Sequence, residues 1–250
     1  MAEHPGVLLV NHGSRQPHAS VFAEELAARL RRDDPARPVA VSFLELTEPT
    51  IGQALRQLVA GGTTTLRVVS LLFSAGYHYR IDLPAALDAV RESHPRIRMR
   101  IAAPLLAGSD DDLIDALDAR LSETTRGASP HPAASADGLV LLAAGSSDPR
   151  ARARVTELAH NWGLGHGLPA EVAFCDLRGD EIRTAVALLR ARGARRVVCG
   201  SLFLATGRLL QAGRRAALEA GAQAVAGPMG MTPALVRLIR RRCYEPVAAG

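Results

Sequence analysis

The sequence predicts an α/β protein made of two similar halves, each a parallel sheet of about four strands flanked by helices. Three observations carry this reading. Short apolar runs alternate with amphipathic segments along the 250 residues, the pattern of strand–helix units whose sheet is covered on both faces. Residues 127–138, "GASPHPAASADG", interrupt the alternation with small residues and prolines that have no periodicity. Beyond that stretch the pattern restarts with related segments in the same order. The expected division is therefore a first half over 1–126, a linker over 127–138 and a second half over 139–250.

In the first half, "VLLV" (7–10) reads as a buried strand, and "SVFAEELAARLRR" (20–32) as a helix with Phe22, Leu26 and Leu30 on one face. "VAVSFL" (39–44) is the second strand. Pro49 is expected to open a helix whose Ile51, Leu55, Leu58 and Val59 share a face. "LRVVSLLF" (66–73) is the third strand, Asp82 and Pro84 read as the cap and opening of the next helix, and "IRMRIAA" (97–103) is the fourth strand. Ser109 followed by three aspartates caps a fourth helix, with acid in the turn where the helix dipole favours it.

The repeat is legible residue by residue. "VLLVNHGSRQP" (7–17) matches "LVLLAAGSSDP" (139–149), and "AVSFLELTEPTI" (40–51) matches "EVAFCDLRGDEI" (171–182). "VAGGTTTLRVVSLLFSAG" (59–76) matches "RARGARRVVCGSLFLATG" (190–207), and "IAAPL" (101–105) matches "VAGPM" (225–229).

Composition narrows the class of function. All 30 basic residues are arginine and the net charge is +5, which suits an acidic partner. The arginines are spread over several helix faces and aromatics make up 4%, which argues against a nucleic-acid surface. Cys175, Cys199 and Cys243 form no CxxC pair, so a disulfide framework or structural zinc site is not expected, and reduced thiols in a cytoplasmic protein are. There is no signal-like N-terminus and no apolar run near the ~20 residues that span a bilayer, so no membrane partner is expected.

In a parallel sheet, sites form beyond the carboxyl ends of the strands. After the first strand come Asn11, His12, Gly13, Ser14 and Arg15; after the second, Glu45, Thr47 and Glu48; after the third, Ser74, Gly76, Tyr77, His78 and Arg80. His12, Glu45 and His78 together offer two imidazoles and a carboxylate, a set suited to a borderline divalent ion such as iron, cobalt, nickel or zinc. Three protein ligands leave coordination positions open for a substrate. Glu48 is a rival to Glu45, but its place before Pro49 puts it at a helix N-terminus. Ser14 and Arg15 enter the first helix, where free N–H groups could hold an anion. Tyr77 and Tyr79 could wall a flat apolar ligand, and Arg80 or other arginines could pair with carboxylates. In the second half, Ala144, Asp176 and Leu209 occupy the positions of His12, Glu45 and His78. Neither alanine nor leucine can ligate a metal, so the second half keeps the fold without the chemistry.

"HGSR", "SFLELTEPTI", "LLFSAGYHYRIDLP" and "APLL" resemble the class II tetrapyrrole chelatases, the sirohydrochlorin chelatases of siroheme and cobalamin synthesis. The resemblance covers residues 7 to about 121, with 139–242 as a degenerate copy. It implies two α/β halves facing each other across a cleft, and a reaction that inserts a divalent metal into sirohydrochlorin with loss of two protons. It implies that His12 and His78 bind the incoming metal or accept pyrrole protons, with Glu45 assisting. Ser14, Arg15, Ser74, Gly76, Tyr77 and Arg80 are the expected substrate contacts. No permanently bound cofactor is expected: the metal, Fe2+ or Co2+ and less readily Ni2+, is a substrate. Fusion of the halves suggests a monomer. Two other readings use the same residues: a non-catalytic carrier of a tetrapyrrole or metal, and a phosphate-ester hydrolase built on His12 and Arg15.

Overall fold

The computed structural model describes residues 5–124 and 136–244. The first half carries β1 (Gly6–Asn11), α1 (His18–Asp33), β2 (Val39–Phe43), α2 (Ile51–Ala60), β3 (Thr65–Ser70), α3 (Leu83–Ser93), β4 (Arg98–Ile101) and α4 (Asp111–Thr124). The second carries β5 (Gly138–Ala144), α5 (Pro149–His166), β6 (Ala170–Cys175), α6 (Asp180–Ala191), β7 (Val197–Leu202), α7 (Arg208–Glu219), β8 (Ala224–Val225) and α8 (Pro233–Tyr244). The strands form two four-stranded parallel sheets with orders β2-β1-β3-β4 and β6-β5-β7-β8. The same order in both sheets is what the repeated segments require.

The central strands β1 and β5 are apolar at nearly every position because both faces are covered. Val7, Leu8, Leu9 and Val10 of β1 are fully buried, as are Leu139 to Leu142 of β5. On one face of the first sheet, Leu8, Val10 and Val68 pack against Ile51, Leu55 and Leu58 of α2 and Leu83 and Leu87 of α3. The equivalent face of the second sheet packs against Ile182, Val186 and Leu189 of α6 and Ala216 and Ala217 of α7. The expected apolar faces of α1 (Phe22, Leu26, Leu30) and α2 (Ile51, Leu55, Leu58) are buried, with Val59 of α2 half-buried against the same core. Among the described residues, no helix is long and apolar enough to cross a membrane.

Two expected helix starts are different. Pro49 lies before α2, after a cis peptide bond with Glu48. The cap is Thr50, whose hydroxyl accepts the Gln53 N–H while the Gln53 side chain accepts the Thr50 N–H, a reciprocal pair that satisfies two orphan donors. Asp82 makes no capping bond. It ends a single π-helical turn, His78–Asp82, that runs directly into α3.

The chain divides into two compact units, one formed by Met1–Ala107 with Val236–Gly250 and the other by Gly108–Leu235. This differs from a boundary at 126. Helix α4 belongs with the second unit, where the Trp162 indole N–H (2.8 Å) and His166 Nε2 (3.0 Å) meet the Asp118 carboxylate, and Arg120 Nε donates to the Met229 carbonyl. Most of α8 belongs with the first unit, where Arg240 pairs with Asp33 (3.3 Å) and Arg37 stacks on the Tyr244 ring (4.5 Å). A periodic apolar stripe says that a helix packs, not on which sheet, so the sequence places these two helices by order alone. Most of the expected linker lies outside the described residues; at its end, Gly138 already begins β5.

Candidate active site

The order β2-β1-β3-β4 puts the first strand between the second and third. The chain therefore crosses from β1 to β2 on one side and from β2 back past β1 to β3 on the other, and the crevice at that switch point is where open α/β sheets bind ligands. His12, Glu45 and His78 follow β1, β2 and β3, so the topology gathers them at the carboxyl edge of the first sheet.

The loops are locked together by backbone. The β1–β2 ladder continues past the strands, with Leu44 N–H donating to the Asn11 carbonyl (3.0 Å) and Glu45 N–H to the His12 carbonyl (3.1 Å). Gly13 has φ +100°, a conformation that favours glycine. Asn11 is 7% exposed; its Oδ1 accepts the His12 N–H (2.8 Å) and its Nδ2 donates to the Ala19 carbonyl (3.3 Å). Thr47 accepts the Ser14 N–H and donates to the Ser14 carbonyl. Leu46, next to Glu45, has φ +62° and is exposed, a strained backbone for a leucine at the rim of the cluster.

The donor atoms of His12, Glu45 and His78 all lie within 4.8 Å of one another, the one such His/Cys/Asp/Glu group among the described residues. His12 Nε2 is 3.1 Å from His78 Nε2 and 3.3 Å from Glu45 Oε1. Each ring has an acceptor on its other nitrogen: His12 Nδ1 is 3.3 Å from the Gly13 carbonyl, and His78 Nδ1 is 2.6 Å from Asp82 Oδ2. A carbonyl or ionised carboxylate only accepts, so a neutral His78 ring places its N–H at Nδ1 and its lone pair at Nε2, whereas His12 has an acceptor on each side, the Gly13 carbonyl and the Glu45 carboxylate. Two imidazole Nε2 atoms and a carboxylate thus converge on one point. Nitrogens bound side by side on one ion at ~2.1 Å each stand about 3.0–3.4 Å apart, so the spacing fits a first-row divalent cation. The histidines are half-buried and Glu45 is exposed, which leaves the point open to an incoming ligand.

The other expected site residues are distributed unevenly. Glu48 is outside the cluster, within reach of the Gln53 side chain (3.5 Å). Ser14 and Arg15 precede α1, and the Ser14 N–H is taken by Thr47, so the expected free anion cradle is not formed by Ser14. Arg15 is exposed. Ser74 and Gly76 sit half-buried in the loop after β3, and Arg80 is exposed on the π-turn. Tyr77 is exposed and edge-on to His78, with ring centroids 6.1 Å apart. Tyr79 is half-buried: its hydroxyl donates to the Ala102 carbonyl (2.8 Å) and its ring packs against the core, which raises its pKa through desolvation. Asp82, a helix cap by its sequence position, instead pairs with His78, and its i, i+4 spacing from that histidine is the sequence signal for the contact.

At the matching edge of the second sheet, Ala144, Asp176 and Leu209 are exposed. The Asp176 carboxylate accepts N–H bonds from Gly179 and Arg178, which hold its pKa below the usual range. It shapes the turn into α6 instead of facing a partner.

The CbiX family model matches residues 6–124 and again 138–245. The chain belongs to the CbiX chelatase family. It is 27% identical over 249 residues to the sirohydrochlorin cobaltochelatase of Priestia megaterium, covering 96% of this chain and 79% of that protein. It is 37% identical over 112 residues to the sirohydrochlorin cobaltochelatase of Sulfolobus acidocaldarius, covering 45% of this chain and 85% of the relative. With the sirohydrochlorin ferrochelatase of Bacillus subtilis it shares 33% over 159 residues, 62% of this chain and 56% of that protein. Among solved structures, SirB from Bacillus subtilis with Fe3+ superposes with TM-score 0.77 at 25% identity, covering 96% of this chain and 94% of that one. The double match of the CbiX model restates the internal repeat, and the two parallel sheets of this chelatase follow from it.

Proposed function

We propose that this CbiX chelatase inserts a divalent metal, Fe2+ or Co2+, into sirohydrochlorin at His12, Glu45 and His78. The observation that carries the assignment of residues is the convergence of two Nε2 atoms and a carboxylate at the switch point of the first sheet. Relatives named for cobalt and for iron support both ions, and imidazole with carboxylate suits either.

Insertion exchanges one divalent ion for two pyrrole protons. The ion must shed water, and three protein ligands with open positions permit this without trapping it. Glu45 lowers the cost of bringing the cation onto two neutral rings. Once the ion moves to the macrocycle, the Nε2 lone pairs of His12 and His78 and the Glu45 carboxylate are free to take protons. One lone pair cannot do both jobs at once, so capture and deprotonation are successive. The net positive charge favours a carboxylate-fringed macrocycle, and Tyr77, Arg80 and Arg15 are the exposed side chains of the loops around the cluster. Ala144 and Leu209 cannot repeat the chemistry, so the fused chain carries one reaction site and works as a monomer.

The test is an anaerobic absorbance assay with purified protein, sirohydrochlorin and Fe2+, Co2+ or Ni2+. The expected result is insertion of iron or cobalt faster than the spontaneous reaction. Tight stoichiometric binding without acceleration for any of the three would make the chain a carrier and sink the proposal.

A further inference from the structure

We infer that Asp82 is a positioning residue for metal capture: through its hydrogen bond it fixes the His78 ring and presents the Nε2 lone pair to the ion. This rests on the reading of His78 as a metal ligand. The Asp82 Oδ2 to His78 Nδ1 distance is 2.6 Å, a short charge-assisted bond. It is the stronger of the two anchors in the cluster, since His12 Nδ1 has only a carbonyl at 3.3 Å. Carboxylate partners on the far nitrogen of ligating histidines set the tautomer and raise ligand basicity.

The local backbone is built for this contact. His78 and Asp82 are the first and last residues of the π-turn, closed by the Leu83 N–H donating to the His78 carbonyl. Such turns insert one residue into a helix and recur at functional sites. The second half shows the helix without it. Leu209 matches His78 at an offset of 131, but the buried positions Leu83 and Leu87 of α3 match buried Gly213 and Ala217 of α7 at an offset of 130. The inserted residue is the π-turn. In either register Ala212 or Gly213 stands opposite Asp82, so histidine, carboxylate and π-turn are absent together. A carboxylate needed only to start the helix would have reason to persist in both halves.

The experiment titrates the full chain with Co2+ alone, and separately with sirohydrochlorin alone. It compares the natural protein with Asp82→Ala, Asp82→Asn, His78→Ala and the double variant His78→Ala/Asp82→Ala. Asp82→Ala is expected to weaken Co2+ binding about 10–100-fold, and Asp82→Asn by less, because its amide oxygen still accepts from Nδ1. Sirohydrochlorin affinity and the circular dichroism spectrum stay unchanged. Asp82→Ala adds nothing in the His78→Ala background, since Asp82 acts through that ring. Natural Co2+ affinity in Asp82→Ala, with His78→Ala weakened, overturns the role of Asp82 alone. An equal loss from Asp82→Ala with and without His78, or a parallel loss of sirohydrochlorin binding, overturns it as general distortion. Natural Co2+ affinity in His78→Ala removes the ligand reading beneath it.

Discussion

Gly13 runs so close to Glu45 that a β-carbon on Gly13 would overlap the Glu45 carbonyl oxygen. Two strand ends that carry two of the three donors are thus pressed backbone to backbone, with the Glu45 N–H also bonded to the His12 carbonyl. Gly13→Ala would add both the clash and a forbidden φ. The expected cost is at least the ~1–3 kcal/mol of backbone strain, read by denaturant unfolding, together with loss of Co2+ binding as His12 and Glu45 move apart. Co2+ affinity unchanged from the natural chain would show that the close approach does not set the cluster.

Asp118 ties α4 to α5. Trp162 is fully buried and its indole N–H has Asp118 as acceptor; the same carboxylate meets His166. Asp118→Ala would leave a buried donor unsatisfied, at a cost of about 1–3 kcal/mol. Because the chain has one tryptophan, its fluorescence follows this unit directly during urea unfolding. An unchanged midpoint would contradict the placement of α4 in the second unit.

The three cysteines are buried and free, and burial pushes each thiol from 9.0 up to about 12. The folded state thus favours the protonated thiol. Its stability is fully present below pH ~9 and falls as the pH rises from there toward 12. Native protein at pH 8 should resist iodoacetamide, and all three thiols should react once it is unfolded. Rapid alkylation of the native chain at pH 8 would show that the thiols are reached without unfolding.

Much of this molecule is legible in its sequence, for identifiable reasons. Val7 to Val10 and Leu139 to Leu142 read as strands because both faces of a parallel sheet need apolar residues. The repeat exposes Ala144 and Leu209 opposite His12 and His78, which separates what both halves share from the donor groups that one half carries. Strand ends bring His12 and Glu45 to one edge, and the loop after β3 carries His78 to the same edge. The role of Asp82 is hidden because a π-turn has no residue signature: an aspartate just before Pro84 looks like a cap. The Thr50 cap is hidden behind Pro49 for a similar reason, since proline suits both a helix start and the turn before it. The partners of α4 and α8 depend on ion pairs and hydrogen bonds made far along the chain, such as Arg240 with Asp33, which no local pattern announces.

Metal insertion at the paired histidines is the proposal on which the assigned roles of Glu45 and Asp82 depend. Its most direct test is the anaerobic rate of Co2+ insertion into sirohydrochlorin by the natural chain and by the His12→Ala/His78→Ala double variant, with folding of both followed by circular dichroism. Acceleration by the natural chain and only the spontaneous rate with the folded double variant are expected. A double variant that inserts cobalt as fast as the natural chain would contradict the proposal.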